Sequence, residues 1–172
     1  MIRPYKSKHP RLGARAWVDA SAQVIGDVEL GADASVWMNT VVRGDVNRIR
    51  IGARTNVQDN CVLHVTAQHP TSLADDVTVG HAVTLHGCAI ERLCLVGVGA
   101  IVLNGAVVGE ESIVAAGALV PEGMAVPPRS LVMGAPAKVR RPVTEEERAS
   151  LRRYAERYVG YKEDYRAAEE AE

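Results

Sequence analysis

The sequence predicts an all-β chain, wound as a left-handed parallel β-helix and closed by a C-terminal α-helix. Three observations carry that prediction. Large aliphatic residues recur at every sixth position, small residues recur four places after them, and the chain is rich in Val, Ala and Gly with no Phe. A period of six matches neither the 3.6 of an amphipathic helix nor the 2 of a free-standing strand. It matches short strands that meet at tight corners, three hexapeptides to a coil, each pointing one aliphatic side chain inward.

The elements follow in chain order. The aliphatic series runs Leu12, Val18, Val24, Leu30, Val36 and Val42 without a break. After a three-residue insertion it resumes at Ile51, Val57 and Leu63. Beyond an irregular stretch around Thr66 to Pro70 it returns at Val79 and Leu85, then runs from Val96 to Val132 in sixes. The companion register is Ala16, Ala22, Ala34, Thr40, Thr55, Cys61, Ala89, Ala100, Ala106, Ser112 and Ala118, small enough for the space beside a corner. A Val-rich sheet with accidental spacing does not produce two registers at once.

The repeats end near Val132 to Lys138, which divides the chain into a β-helix with its lead-in (1–142) and a terminal helix (143–172) that packs on it. Thr144 and Glu147 have the spacing of a capping box, in which side chain and backbone satisfy each other at a helix start. Leu151, Tyr154, Tyr158, Tyr161 and Tyr165 then recur at steps of three and four, which gives the helix one apolar stripe. The acidic tail from Glu169 to Glu172 is expected to fray.

Composition narrows the function. Twenty basic residues against twenty-one acidic ones leave no net field for nucleic acid or an anionic membrane. The N-terminal residues lack the apolar stretch of a signal peptide, and no apolar run approaches a bilayer span. Cys61, Cys88 and Cys94 are odd in number and lack a C-x-x-C spacing, as expected of reduced thiols in a cytoplasmic protein.

Three of the five histidines have a phase. His64 follows Leu63 and His86 follows Leu85, so both fill the same slot of their repeats, 22 residues apart. Stacked coils lie about 4.8 Å apart, which places the two rings one above the other, at a span suited to two ligands of one metal ion. His81 lies two residues after Val79, on the preceding strand, and points from the neighbouring face. A second chain is needed to bring it to the other two, which argues for interfacial sites in a trimer. Three neutral imidazoles leave open positions on the ion, the arrangement of a catalytic site; Zn²⁺, Fe²⁺ and Co²⁺ all accept them. His9 and His69 have no such phase.

Polar residues surround this set. Arg43-Gly44-Asp45 follows Val42 on the face of His64 and His86, whereas Gln58 and Asp59 belong with the face of His81. If the two faces meet between subunits, Arg43 pairs with Asp59 across the interface, and Gln58 orients a hydroxide or small substrate by hydrogen bonding. Tyr158 has the reach to enter the site from the terminal helix, packing being its first role. The candidate ligands are thus His64, His81 and His86, and around them stand Gln58, Arg43, Asp45, Asn56, Asp59 and Tyr158.

Arg43-Gly44-Asp45, Asn56-Val57-Gln58-Asp59, Leu63-His64 and the run from Val79-Gly80-His81 to Leu85-His86-Gly87-Cys88 resemble the gamma-class carbonic anhydrase family of hexapeptide-repeat proteins. The resemblance covers nearly the whole chain. It implies a homotrimer with three interfacial metal sites and a lyase activity, the reversible hydration of CO₂ to bicarbonate by a metal-bound hydroxide that Gln58 positions. The archaeal type carries an acidic proton-relay loop; here Val46 follows Asp45, and Val65-Thr66-Ala67 follow His64 without a glutamate. That departure resembles the short bacterial branch and implies slow turnover. The rival functions are a hexapeptide acyltransferase or acyl-CoA thioesterase, which needs a histidine free to act as base, and a non-catalytic trimeric metal-binding scaffold.

Overall fold

The computed structural model describes residues 1–171; of the predicted acidic tail, Glu172 lies outside them. Among the described residues there are twenty strands, wound as a left-handed parallel β-helix of about seven turns, and one helix that follows them. The cross-section of the β-helix is a three-sided prism.

The first side holds the leading parts of the long strands β4 (Gln23–Leu30) and β6 (Val41–Ile51), then β8 (Val62–His64), β11 (Thr84–His86), β14 (Ile101–Val102) and β17 (Leu119–Val120), with β1 (Ile2–Arg3) beyond β4. The second holds β2 (Arg11–Leu12), the trailing parts of β4 and β6, β9 (Thr71–Leu73), β12 (Ala89–Ile90), β15 (Val107–Val108) and β18 (Ala125–Val126). The third holds β3 (Trp17–Val18), β5 (Ser35–Val36), β7 (Asn56–Val57), β10 (Thr78–Val79), β13 (Leu95–Val96), β16 (Ile113–Val114) and β19 (Ser130–Met133), and ends in antiparallel β20 (Lys138–Pro142). Because β4 and β6 run round a corner unbroken, the first two sides form one twelve-stranded sheet; the third is a separate sheet of eight strands.

The six-residue series supplies the core, and every member from Val24 to Val132 is buried. Leu12 departs from the expectation at 41 % exposed, because it sits in the terminal coil with neighbours on one side only. The small-residue register also slips once. From Leu85 the next inward residue is Ile90, five places on, so Cys88 fills the corner and Ala89 faces outward opposite Val107. Leu73 belongs to the core as well, paired in register with Ile51 and Ile90.

One corner stacks Arg15, Asp33, Arg54, Asp76, Leu93, Glu111 and Arg129, all at positive φ between 55° and 60°. Residues with a Cβ enter this region at a cost. Here the stacking places opposite charges together: Arg15–Asp33 at 3.2 Å, Arg54–Asp76 at 2.6 Å and Arg129–Glu111 at 2.8 Å.

Helix α1 (Glu145–Glu170) opens with both halves of the predicted capping box, Thr144 accepting from the Glu147 amide and Glu147 accepting from the Thr144 amide. It lies against β5, β7 and β10, on the third side. Its buried line differs from the tyrosine stripe expected. Leu151, Ala155 and Lys162 are buried, Tyr158 is half-buried, and Tyr154, Tyr161 and Tyr165 stand at the margins. Lys162 joins the line because its ammonium is satisfied there, by Asp33 at 2.6 Å, Glu163 at 2.7 Å and the Arg15 carbonyl at 2.9 Å. Trp37 anchors the helix edge-on, 5.2 Å from Tyr158 and 5.3 Å from Tyr165. The tail does not fray at Glu169, which accepts from Trp17 Nε1 at 3.2 Å.

Candidate metal centre

The first side carries two of the histidines. His64 closes β8 and His86 closes β11, and the parallel ladder sets them opposite each other in register. The slot after an inward Leu points outward because side chains alternate along a strand. His64 Nδ1 and His86 Nε2 are 3.0 Å apart. Two nitrogens bound tetrahedrally at about 2.0–2.1 Å span about 3.3 Å, so a small opening of the pair accommodates a divalent cation.

The outer nitrogens of both rings are held. His64 Nε2 lies 3.0 Å from Asp45 Oδ1, and His86 Nδ1 lies 2.7 Å from Asn104 Oδ1. Asp45 also accepts from Arg43 and from the Val46 amide. Burial raises its carboxyl, but the hydrogen bonds from His64 and Arg43 outweigh that, and it stays below the usual carboxylate range. Next to it, Asn47 Nδ2 donates to the Thr66 and Ala67 carbonyls at 3.1 Å, tying this turn to the loop after His64.

His81 sits past the end of β10, at the corner between the third and first sides. Its Nδ1 is 2.6 Å from Asp59 Oδ2, and its ring is exposed. It lines a cleft of about 390 Å³ under α1 with Gln58, Thr78, Tyr154, Arg157 and Tyr158. Among the described residues, no three His, Cys, Asp or Glu side chains of one chain gather around a point. Within a chain, then, His64 and His86 meet, while His81 stands with Gln58 and Asp59.

Gln58 is oriented from behind. Thr78 Oγ1 accepts from Asn56 Nδ2 at 3.0 Å, and Asn56 Oδ1 accepts from Gln58 Nε2 at 3.1 Å. Both amides are buried, and in this arrangement Gln58 Oε1 is left as an acceptor. Within the chain Arg43 pairs with Asp45 and Asp59 with His81. Tyr158 flanks the cleft; burial, and secondarily the charge of Asp59, raise its phenol above the ordinary value.

Sequence reasoning missed Asn104. It lies 18 residues after His86, one regular coil, and that spacing was the available signal. Trp37, which seats α1 and with it Tyr158, was also missed.

A β-helix of this period, with paired imidazoles on one side, defines a hexapeptide-repeat protein with a candidate metal centre. No family model matches the chain. It is 45 % identical over 170 residues to a carbonic anhydrase of Geobacillus kaustophilus, covering 99 % of this chain and 93 % of that one. It is 41 % identical over 157 residues to gamma carbonic anhydrase 1, mitochondrial, of Arabidopsis thaliana, spanning 88 % of this chain and 57 % of the plant protein. A Bacillus cereus structure described as an acetyltransferase superposes with a TM-score of 0.95 at 45 % identity, over 97 % of each chain. The chain belongs to the gamma-class carbonic anhydrase family of hexapeptide-repeat proteins.

Proposed function

We propose that this protein is a divalent-metal lyase that interconverts CO₂ and bicarbonate at sites shared between the subunits of a homotrimer. The observation that carries the reading is the division of the histidines: His64 and His86 are in register on one side, and His81 is held apart at the adjoining corner. A neighbouring copy that turns its His81 corner toward the first side completes a three-imidazole set for Zn²⁺, Fe²⁺ or Co²⁺. The same docking brings Arg43 of one chain toward Asp59 of the next. The family relationship to proteins named carbonic anhydrase supports the reaction class. The buried, free thiols fit a cytoplasmic protein.

When bound, the ion supplies a Lewis acid that makes water at it acidic near neutral pH. The chain's own residues do the rest. Gln58 Oε1 accepts from the O–H of the attacking hydroxyl and so aims that oxygen's lone pair at the carbon of CO₂. The cleft beside it offers Thr78, Gly80, Val98 and the rim of α1 to a small, apolar substrate. Asp45 and Asn104 hold the outer faces of the two paired rings.

Protein purified without oxygen should hold about one transition-metal ion per chain. His64→Ala, His81→Ala and His86→Ala should each remove it, and His9→Ala should not. CO₂ hydration should be slow and should rise with imidazole buffer, since no glutamate follows Asp45 or His64 to relay protons. A full metal complement in His81→Ala would overturn the ligand set. The acetyltransferase description of the Bacillus cereus neighbour supports acyl transfer as the second reading; that activity would survive chelation, whereas CO₂ hydration would not.

A further inference from the structure

Asn104 and Glu122 lie outside every motif that pointed to the site, yet they continue its line of side chains down the corner between the first and second sides. The regular coil repeats the slot of His86 at Asn104 and again at Glu122, and the backbone ladder beside it is tight. Gly105 donates to the Gly87 carbonyl at 2.7 Å, and Gly123 donates to the Asn104 carbonyl at 2.9 Å. Asn104 Oδ1 is 2.7 Å from His86 Nδ1, and Asn104 Nδ2 donates to Glu122 Oε1 at 2.6 Å.

The donor inventory of these groups leaves one arrangement. A carboxylate only accepts, so Glu122 requires the NH₂ end of the Asn104 amide to face it. The amide oxygen then faces His86, and an amide oxygen only accepts, so the proton of the neutral ring sits on Nδ1. Nε2 is left with its lone pair, on the side where His64 Nδ1 approaches to 3.0 Å. Gly87 makes the contact sterically possible. A Cβ there would meet Asn104 Oδ1 at 2.7 Å, and its φ of +60° is costly for other residues.

We propose that Asn104, itself oriented by Glu122, is a positioning residue that fixes His86 as the Nδ1–H tautomer and so presents its Nε2 lone pair to a divalent cation. The inference rests on the metal-site reading above, but its central step, the tautomer, is measurable without metal. Ligating histidines are commonly held this way through their second nitrogen, and losing such a partner weakens metal binding about 10- to 100-fold.

The test uses the full-length protein with ¹⁵N-labelled histidine, stripped of metal, with ring ¹⁵N shifts assigned by comparison with His86→Ala. The native protein should show His86 protonated at Nδ1. Asn104→Ala should leave a mixture of tautomers, whereas Asn104→Asp combined with Glu122→Gln, which keeps an acceptor facing the ring and a donor behind it, should restore the Nδ1–H form. Glu122→Ala should shift the population part of the way. Zn²⁺ affinity, read by competition with a chromophoric chelator, should fall about 10- to 100-fold in Asn104→Ala and recover in the variant that combines Asn104→Asp with Glu122→Gln. Glu122 is exposed and Asn104 half-buried, and urea unfolding verifies that the variants fold. An Asn104→Ala protein with the native His86 shifts would overturn the proposal, and so would native Zn²⁺ affinity in that variant. If the native protein binds no metal, the site reading fails, and the tautomer measurement still decides whether Asn104 positions the ring.

Discussion

Refolding a mixture of His64→Ala and His81→Ala chains tests whether one metal centre is built from two subunits. Each variant alone lacks one ligand at every interface, so pure trimers of either should bind little metal. A His81→Ala chain still carries the His64/His86 pair, 3.0 Å apart in the native protein, and a His64→Ala chain still carries the corner with His81. Where they meet in the correct order, the set is complete. Cyclic symmetry gives each trimer three such ordered contacts. With equal amounts and random association, about three quarters of trimers are mixed, and each has one complete contact, or about one site in four overall. Metal retained after desalting, measured by elemental analysis and as the visible absorption of Co²⁺, should therefore recover to about a quarter of the native content. Native mass spectrometry establishes the subunit mixture. If mixed trimers form and hold no more metal than the pure variants, the ligands are not shared between chains.

Three further outcomes concern the fold. Lys162→Ala should cost about 3 kcal/mol in urea unfolding, since it removes a fully buried cation from Asp33 and the Arg15 carbonyl; Lys162→Met, which keeps the volume, should cost less, and an unchanged Ala variant would show that the contact does not staple the helix. The thiols of Cys61, Cys88 and Cys94 are pushed up by burial to about 11, 12 and 12, so a disulfide reagent at neutral pH should modify none of them until the chain unfolds, and one fast-reacting thiol would refute this. Hydrogen bonds from Arg141 and the Thr144 amide lower Glu147 to about 2 from 4.5. Its folded value is the lower one, so its contribution to stability is present above pH 4.5 and fades as the pH falls toward 2; Glu147→Gln should be less stable than native at pH 7, with the gap closing in acid, and a gap independent of pH would refute the assignment.

The β-helix is readable from sequence because each inward position makes the same demand in every coil. Val36, Val57, Val79 and Val96 stack in one column, and a polar residue at any of them would be buried without a partner. The pattern weakens where that demand lapses. Leu12 sits at the open end, and the corner after Leu85 is one residue short, so Cys88 takes the place counted for Ala89. The terminal helix is harder to read, because hydrophobicity points to the tyrosines while its buried line includes Lys162, two of whose oxygen partners, Asp33 and the Arg15 carbonyl, are distant in sequence. The pairing of His64 with His86 followed from spacing alone. The partners of their outer nitrogens did not: Asn104 and Glu122 are ordinary surface residues in sequence, and only the coil repeat places them in line with a ligand.

The same regularity explains why a site shared between chains is the economical solution. Strands β10 and β11 are pinned on both flanks, Thr78 and Val79 to β7 and β13, Thr84 and Leu85 to β8 and β14. Swinging His81 onto the first side within one chain would break this ladder, whereas a second copy docking against it would break nothing. In the proposed trimer, metal binding and assembly are then linked. An ion that binds the assembled state alone stabilises it by about 2.7 kcal/mol per site when present at a hundred times its dissociation constant. Dilution should therefore dissociate chelator-treated protein at a higher concentration than metal-loaded protein, as read by sedimentation. His9→Ala should keep that difference, and His81→Ala should abolish it. Equal dissociation of the loaded and stripped native protein would uncouple the histidines from the interface.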